Sequence, residues 1–146
     1  MAEVIAVCIS EKKGVCKHEV PYIEVKLDHG IVGDAHAGAW HRQISLLADE
    51  SIDTMRSYGL HLIPGAFAEN IVTRGIELKT LPVGTQLEIG QTLLEVTQIG
   101  KQCHNDCAIK KTTGKCVMPT EGIFAIVRRE GRIYPGDTIT VKENCT

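Results

Sequence analysis

The feature that most constrains the fold is a series of short apolar segments separated by glycine residues. Each segment carries alternating or β-branched apolar residues, which is typical of β-strands, and glycine supplies turns between strands. The segments "EVIAVCI", "VPYIEVKL" and "RQISLL" come first, and five more follow residue 68. The strand-like segments span residues 3–9, 20–27, 42–47, 69–75, 85–90, 92–100, 122–130 and 137–143.

One stretch between the strand-like segments has helical periodicity instead. Ala48, Ile52, Met55 and Gly59 lie three or four positions apart, which places them on one face of a helix of roughly ten residues. Acidic residues fill the first turns of this stretch, where negative charge favours the positive end of the helix dipole. The sequence therefore predicts a short helix that ends near Gly59.

This pattern predicts a mainly β protein. Many short strands without an alternating β-α-β rhythm favour a closed or nearly closed antiparallel β-barrel of about seven or eight strands, with one or two short helices. The chain has 146 residues, an ordinary size for one unit, so we expect residues 1–146 to form a single domain.

Charge and hydropathy exclude two classes of function. The formal net charge is only −2, whereas a nucleic-acid-binding protein needs a concentrated basic face. The apolar N-terminus lacks a basic leader, and no segment approaches the twenty or so apolar residues that span a membrane. We therefore expect a cytoplasmic protein whose thiols stay reduced and whose partners are neither nucleic acid nor membrane.

The segment "GKQCHNDCAIKKTTGKC", residues 100–116, holds three of the six cysteines. Cys103, Cys107 and Cys116 could bind zinc together with His104 or His41, and their spacing does not exclude it. Burial as a small apolar side chain suits Cys8, which lies among β-branched residues, better than it suits this polar segment. Neighbouring lysines favour the thiolate, the form that binds soft metals and carries sulfur.

The chain resembles the MOSC domain family, named for the C-terminal domain of molybdenum cofactor sulfurase, and is most similar to its compact, stand-alone prokaryotic members. The resemblance covers nearly the whole chain and rests on short segments in a fixed order. It implies a barrel-like β fold and a cysteine that holds sulfur or binds the molybdenum of the pterin cofactor, molybdopterin. The segments are "GIVGDAHAG", "RQISLL", "IPGAFAENIVTRGIEL", "VGTQLEIG", "LLEVTQIGKQCHNDCAI" and "EGIFAIVRREGRIYPGD".

The resemblance implies a functional cysteine that follows a polar stretch and precedes an aliphatic residue. Cys107, before Ala108 and Ile109, fits this pattern best and is predicted to be the catalytic or molybdenum-binding thiol. Cys103 is the second candidate, as a resolving thiol or a second ligand. Cys116 is interpreted as structural or exposed.

The other matched segments supply candidate cofactor-binding residues. Arg42, together with His41, is a candidate for the pterin phosphate, because the guanidinium presents a planar fork suited to that group. Asp34 and Asn70 either orient the ligand or hold loops through bonds to backbone amides. The lysines that follow Cys107 could steer an anionic ligand; these are Lys110, Lys111 and Lys115. The family usually has glycine before the Glu-Asn pair, where this chain has Ala68.

Two classes of function follow. The first is a molybdenum cofactor binding or sulfur-carrier protein, or a related molybdenum-dependent reductase of N-hydroxylated compounds. We find no pyridoxal-phosphate-dependent desulfurase domain, so a partner such as a cysteine desulfurase, or a cofactor biosynthesis or acceptor protein, is expected. The second is a non-enzymatic binding module with a structural zinc or no metal, and the sequence leaves open whether the protein is an enzyme.

Overall fold

The computed structural model describes residues 2–12, 17–35, 37–40, 43–56, 69–76, 78–99 and 122–142, without the side chains of 54–56 and 79. These residues form eleven strands, one α-helix and one 3-10 helix. The strands are β1 (Glu3–Ile9), β2 (His18–Val20), β3 (Ile23–Lys26), β4 (Gly30–Ile31), β5 (Ile44–Ala48), β6 (Ile71–Arg74), β7 (Gln86–Ile89), β8 (Thr92–Ile99), β9 (Ile123–Arg129), β10 (Gly131–Ile133) and β11 (Ile139–Lys142). The helix α1 spans Asp49–Arg56, and the 3-10 helix spans Leu78–Thr80.

The strands form two sheets. Eight strands lie in the order β11-β7-β8-β9-β5-β6-β1-β2, and three lie in the order β10-β3-β4. Strand pairs are antiparallel except β5 and β6, which run parallel. The connection between these two strands contains α1, and the expectation of a wholly antiparallel arrangement is wrong at this one pair.

The mainly β prediction is confirmed, but a closed barrel is not found among the described strands, because both sheets are open. The start of β1 nevertheless contacts the residues around the start of β11. An isolated bridge joins Glu3 to Thr138, and the backbone N–H of Ile139 donates to the carbonyl of Ala2 at 2.9 Å. Barrel closure stays a prediction.

Local differences from the predicted strands have local causes. The predicted strand 20–27 is divided between β2 and β3, with Pro21 in the break. Proline has no N–H for the strand ladder, which explains the interruption. Two short strands, β4 and β10, lie in segments that the sequence pattern did not mark as strands.

The apolar core contains residues of both sheets, and β5 is a central strand of the large sheet. All five residues of β5 are buried, because β9 and β6 flank this strand and α1 packs against it. Ile52 of α1 is buried, as the helical periodicity predicts. At the start of the helix, Asp49 pairs with Arg74, and Glu50 accepts a hydrogen bond from the backbone of Gly75 at 2.9 Å. No helix in the described part of the chain is long and apolar enough to cross a membrane.

Candidate functional site

The structure describes two of the predicted site residues, Asp34 and Asn70. Both side chains are buried, and both are held by hydrogen bonds from segments distant in sequence. The other candidates lie outside the described residues; they are His41, Arg42, Cys103, Cys107, Lys110, Lys111, Lys115 and Cys116.

Asn70 joins the ends of three strands. Its Oδ1 accepts hydrogen bonds from the backbone N–H of Ser45 at 3.0 Å and from the Ser45 hydroxyl at 3.2 Å. Its Nδ2 donates to the carbonyl of Cys8 at 3.0 Å, and its own carbonyl accepts from the Cys8 N–H at 2.7 Å. Of the two roles predicted for Asn70, holding the backbone is the one for which the described contacts provide partners.

Asp34 forms a buried ion pair with Lys17. Oδ1 of Asp34 lies 2.7 Å from Nζ of Lys17, and both side chains have no exposed surface. The same oxygen accepts a hydrogen bond from the backbone N–H of Ser10 at 3.1 Å, and the Lys17 ammonium donates to the Ser10 hydroxyl at 3.3 Å. Sequence reasoning missed Lys17, which lies in the polar stretch "EKKGVCKHE" among other lysines that look alike.

Cys8 is a buried thiol with an unreactive character. Burial raises its pKa to about 12, and the negative charges of Glu69 and Glu19 act in the same direction, while the Lys17 ammonium opposes them. The prediction that Cys8 is buried is confirmed. Because the thiolate is the nucleophilic form, Cys8 is a poor candidate for sulfur chemistry near neutral pH.

These contacts define a buried polar cluster at the carboxyl end of β1. The backbone N–H of Ser10, which directly follows β1, donates to Asp34, and the carbonyl of Cys8, within β1, accepts a hydrogen bond from Asn70. Asp34 and Asn70, which come from two of the segments singled out in the sequence, therefore contact the same strand end. The cluster consists of Ser10, Lys17, Asp34, Ser45, Glu69 and Asn70, all less than a tenth exposed.

The strand register relates the cysteine-bearing segment to this cluster. Ile99 and Ile123, on either side of residues 100–121, pair with each other, and Ile123 also pairs with Leu46. Leu46 pairs with Ile71, the residue after Asn70. With neighbouring strands about 4.8 Å apart, Ile123 and Ile71 are about 10 Å apart across the sheet.

The direction of the strands places the start of β9 and Asn70 towards different ends of β5. Since β9 begins opposite Leu46 and runs towards Ile44, the chain enters β9 from the end of β5 that continues into α1. Asn70 pairs with Ser45 and lies towards the other end. The structure thus brings Asp34 and Asn70 to the end of β1. Ile99 and Ile123, which flank the cysteine segment, lie in register with Ile71, the residue after Asn70.

A groove of about 770 Å³ lies elsewhere and is lined by residues of β3 and β10, of the turn between β7 and β8, and of the segment between β10 and β11. The Arg132 guanidinium lies 4.9 Å from the ring centroid of Tyr22, and the rings of Tyr22 and Tyr134 are 5.5 Å apart. None of the predicted site residues that the structure describes lines this groove. Within the described ranges, no group of three His, Cys, Asp or Glu side chains could hold a metal ion, and the predicted zinc ligands lie outside those ranges.

Comparison with known proteins identifies the class. The family model for the MOSC domain matches residues 33–140, so the chain belongs to the MOSC domain family, and the resemblance inferred from the sequence is confirmed. The match includes Asp34, Asn70 and the whole cysteine-bearing segment, whereas Ser10 and Lys17 lie outside it.

Solved structures share the fold. The YuaD protein from Bacillus subtilis has a TM-score of 0.73 and 20% sequence identity, over 97% of this chain and 96% of that chain. YiiM from Geobacillus stearothermophilus has a TM-score of 0.73 and 19% identity, over 98% of this chain and 76% of that one. YiiM from Escherichia coli has a TM-score of 0.68 and 18% identity, over 100% and 72%. No curated protein matches the chain.

Proposed function

We propose that this protein binds the molybdenum cofactor or carries sulfur to it, with the Cys107 thiolate as the molybdenum ligand or the sulfur acceptor. The observation that carries the proposal is the family match over residues 33–140, which includes both the segment of Asp34 and the segment of Cys107. Family membership alone assigns no reaction.

Cys107 is chosen over Cys8 because the surroundings of the two thiols differ. Cys8 has no exposed surface and a pKa raised to about 12, so it stays protonated near neutral pH. Cys107 instead precedes Lys110 and Lys111 and lies in a polar segment, and nearby ammonium groups lower a thiol pKa. We propose Cys103 as a second thiol that resolves a persulfide or adds a ligand.

Arg42 and His41 are the proposed holders of the pterin phosphate, with Lys110 and Lys111 providing further positive charge. Gln43, which directly follows Arg42, is almost fully buried, and its Oε1 accepts a hydrogen bond from the backbone N–H of Val127 at 3.1 Å. Gly30 approaches the same residue closely, because a Cβ built on Gly30 would lie 2.9 Å from the Gln43 Cβ. Gly30 and Val127 therefore hold the residue that directly follows Arg42 in the sequence.

The proposed residues fit the cofactor. The Cys107 thiolate is a soft ligand for the metal, and the basic side chains suit a phosphate. When bound, the cofactor would supply the redox chemistry of molybdenum. As a sulfur acceptor, the Cys107 thiolate attacks the terminal sulfur of a donor persulfide; a new S–S bond forms, the donor S–S bond breaks, and the donor leaves as a thiolate. A cysteine desulfurase in the cytoplasm is the proposed donor.

We also propose that residues 1–146 form one domain in which the strands approach a closed barrel. The bridge between Glu3 and Thr138 supports this, because it joins strands near opposite edges of the large sheet. Such a barrel would hold the cysteine segment and the buried polar cluster on one body.

The test compares cofactor content in matched cysteine variants. The chain is produced with molybdate, purified without oxygen and analysed for molybdenum by mass spectrometry and for pterin by fluorescence after oxidation. Cys107→Ser is expected to lose at least about tenfold of both signals, whereas the control Cys8→Ala, which changes a buried thiol, keeps them. Full cofactor content in Cys107→Ser would reject the assignment.

The same samples test the rival binding module. Stoichiometric zinc that disappears in Cys103→Ser, Cys107→Ser and Cys116→Ser would favour a structural zinc site and oppose the cofactor role. If neither metal copurifies, mass spectrometry of intact protein after incubation with a cysteine desulfurase and cysteine decides the sulfur-carrier version. A mass increase of about one sulfur atom, absent in Cys107→Ser, would support it.

A further inference from the structure

We infer that Lys17 is a positioning residue for the loop 33–38, and that Asp34 acts through Lys17 and Ser10 rather than by contacting a ligand. The statement about the loop rests on described contacts alone. Its consequence for ligand binding rests on the proposed function, cofactor binding by a family whose match includes this loop.

The Asp34 carboxylate is directed inwards. Its Oδ1 receives the Lys17 ammonium at 2.7 Å and the Ser10 backbone N–H at 3.1 Å, and neither the Asp34 nor the Lys17 side chain has any exposed surface. Lys17 also donates to the Ser10 hydroxyl at 3.3 Å, and that hydroxyl donates to the carbonyl of Lys12 at 3.0 Å. A carboxylate held this way is oriented towards β1 and away from solvent.

The backbone around Asp34 forms further hydrogen bonds, one of them also to Ser10. The N–H of Ala35 donates to the Ser10 carbonyl at 2.7 Å, and the N–H of Ala37 donates to the Asp34 carbonyl at 3.2 Å. Gly33, with φ of +86°, permits the turn immediately before Asp34. The Asp34 side chain and the Ala35 N–H therefore both attach this loop to Ser10.

Placement rather than stability explains why an ion pair stands here. Removing two charges from water is expensive, so a buried pair adds little net stability compared with neutral side chains of similar volume. Its directional bonds do fix the geometry of the groups that carry them. Lys17 lies outside the matched residues 33–140, so the family match does not account for it.

The experiment removes both charges together. Lys17→Met/Asp34→Asn leaves neither member of the pair charged, and the side-chain carbonyl of the introduced asparagine can still accept the Ser10 N–H. The matched control is Lys142→Met/Glu88→Gln, which neutralises a surface pair with Nζ and Oε2 3.1 Å apart. Amide hydrogen exchange is measured at Ala35 and Ala37, with the Cys8 amide, which donates to the Asn70 carbonyl at 2.7 Å, as an internal reference.

Exchange at Ala35 and Ala37 is expected to rise at least about tenfold in the Lys17→Met/Asp34→Asn variant, with the Cys8 amide and the surface control unchanged. Exchange rates at both amides within about twofold of wild type would overturn the inference. Should the double variant fail to fold, Ser10→Ala removes only the hydroxyl that Lys17 contacts, and faster exchange at Ala35 is again expected, while an unchanged rate contradicts the inference.

Binding of molybdenum cofactor extracted from a purified molybdoenzyme separates the two proposals. If wild type binds the cofactor and the double variant binds it at least about tenfold more weakly, the position of the loop matters for ligand binding. Equal affinity of the two proteins overturns this consequence. Failure of wild type to bind would count against the proposed function alone, because the exchange rates decide the role of Lys17 independently.

Discussion

Asn70 and Ser45 exchange hydrogen bonds in both directions. The backbone N–H of Ser45 donates to Oδ1 of Asn70 at 3.0 Å, and the backbone N–H of Asn70 donates to the Ser45 hydroxyl at 3.0 Å. Together with the bond from Nδ2 to the Cys8 carbonyl, these contacts join β5, β6 and β1 where the buried polar cluster lies. The amide side chain is thus part of the framework under the candidate site.

Asn70→Ala is expected to destabilise the fold by about 2–4 kcal/mol, because it leaves the buried Ser45 N–H and Cys8 carbonyl each without one partner. Chemical denaturation gives the free energy of unfolding. Asn70→Asp keeps the acceptor but removes the donor and introduces a buried charge, so both changes are expected to destabilise the fold. A change below about 0.5 kcal/mol in Asn70→Ala would show that these bonds do not hold the strands together.

Gly30 faces the backbone of Gln43 so closely that a side chain has no room. A Cβ at Gly30 would lie 2.9 Å from the Gln43 Cβ and 3.0 Å from its carbonyl oxygen, at φ of +104°. Gly30→Ala is therefore expected to lose about 3 kcal/mol of stability, from backbone strain plus overpacking.

Gly136 is the matched control for this substitution. Its φ is +94°, yet a Cβ there would meet nothing within 4 Å. Gly136→Ala is expected to lose only the backbone term, about 1 kcal/mol. Equal losses in the two variants, measured by chemical denaturation, would contradict the close approach of Gly30 to Gln43.

Local features of the fold were predictable from the sequence, and long-range ones were not. The start of α1 follows from the apolar spacing and the acidic residues at Asp49 and Glu50, which act within one or two turns. The parallel pairing of β5 with β6 depends on contacts between segments that are distant in sequence, and no local pattern encodes those contacts. The break at Pro21 has a local signal that the strand prediction overlooked, because proline interrupts a ladder.

The candidate site shows the same limit. Burial of Cys8 followed from its apolar neighbours. Asp34 and Asn70 were predicted as candidates because they are polar residues in glycine-bearing segments that resemble the family. The partners did not follow: Asp34 binds Lys17 across 17 positions, and Asn70 binds Cys8 across 62. A single sequence does not mark which of several similar lysines is buried.

The Lys17 and Asp34 pair is expected to show strong coupling in a double-mutant cycle. Lys17→Met alone leaves the Asp34 carboxylate buried without its ammonium partner, and Asp34→Asn alone leaves a buried ammonium, so each is expected to lose about 3–5 kcal/mol. The double variant is expected to lose far less than their sum, because neither charge of the pair remains. Additive losses in denaturation experiments would argue against a buried ion pair.

Thiol labelling distinguishes Cys8 from the cysteines of residues 100–116. At about pH 8, native protein treated with iodoacetamide is expected to leave Cys8 unmodified, because it is fully buried and protonated. Cys107 is expected to react, as the proposed thiolate, and peptide mass spectrometry reports both. Denatured protein provides the control, in which Cys8 labels as fully as Cys107; native labelling of Cys8 at the same rate would contradict its burial.

The same thiol predicts a loss of stability at alkaline pH. The folded pKa of Cys8 is about 12, above the ordinary value of 9.0, so the protonated thiol favours the folded state. This contribution is complete below the unfolded pKa and is lost as pH rises towards the folded pKa, because the unfolded thiol ionises first. Between about pH 9 and 10, wild type is expected to lose about 1 kcal/mol more than Cys8→Ala, which has no thiol at this position. Measuring both unfolding free energies against pH cancels the titration of other groups, and parallel curves would mean that Cys8 ionises equally in both states.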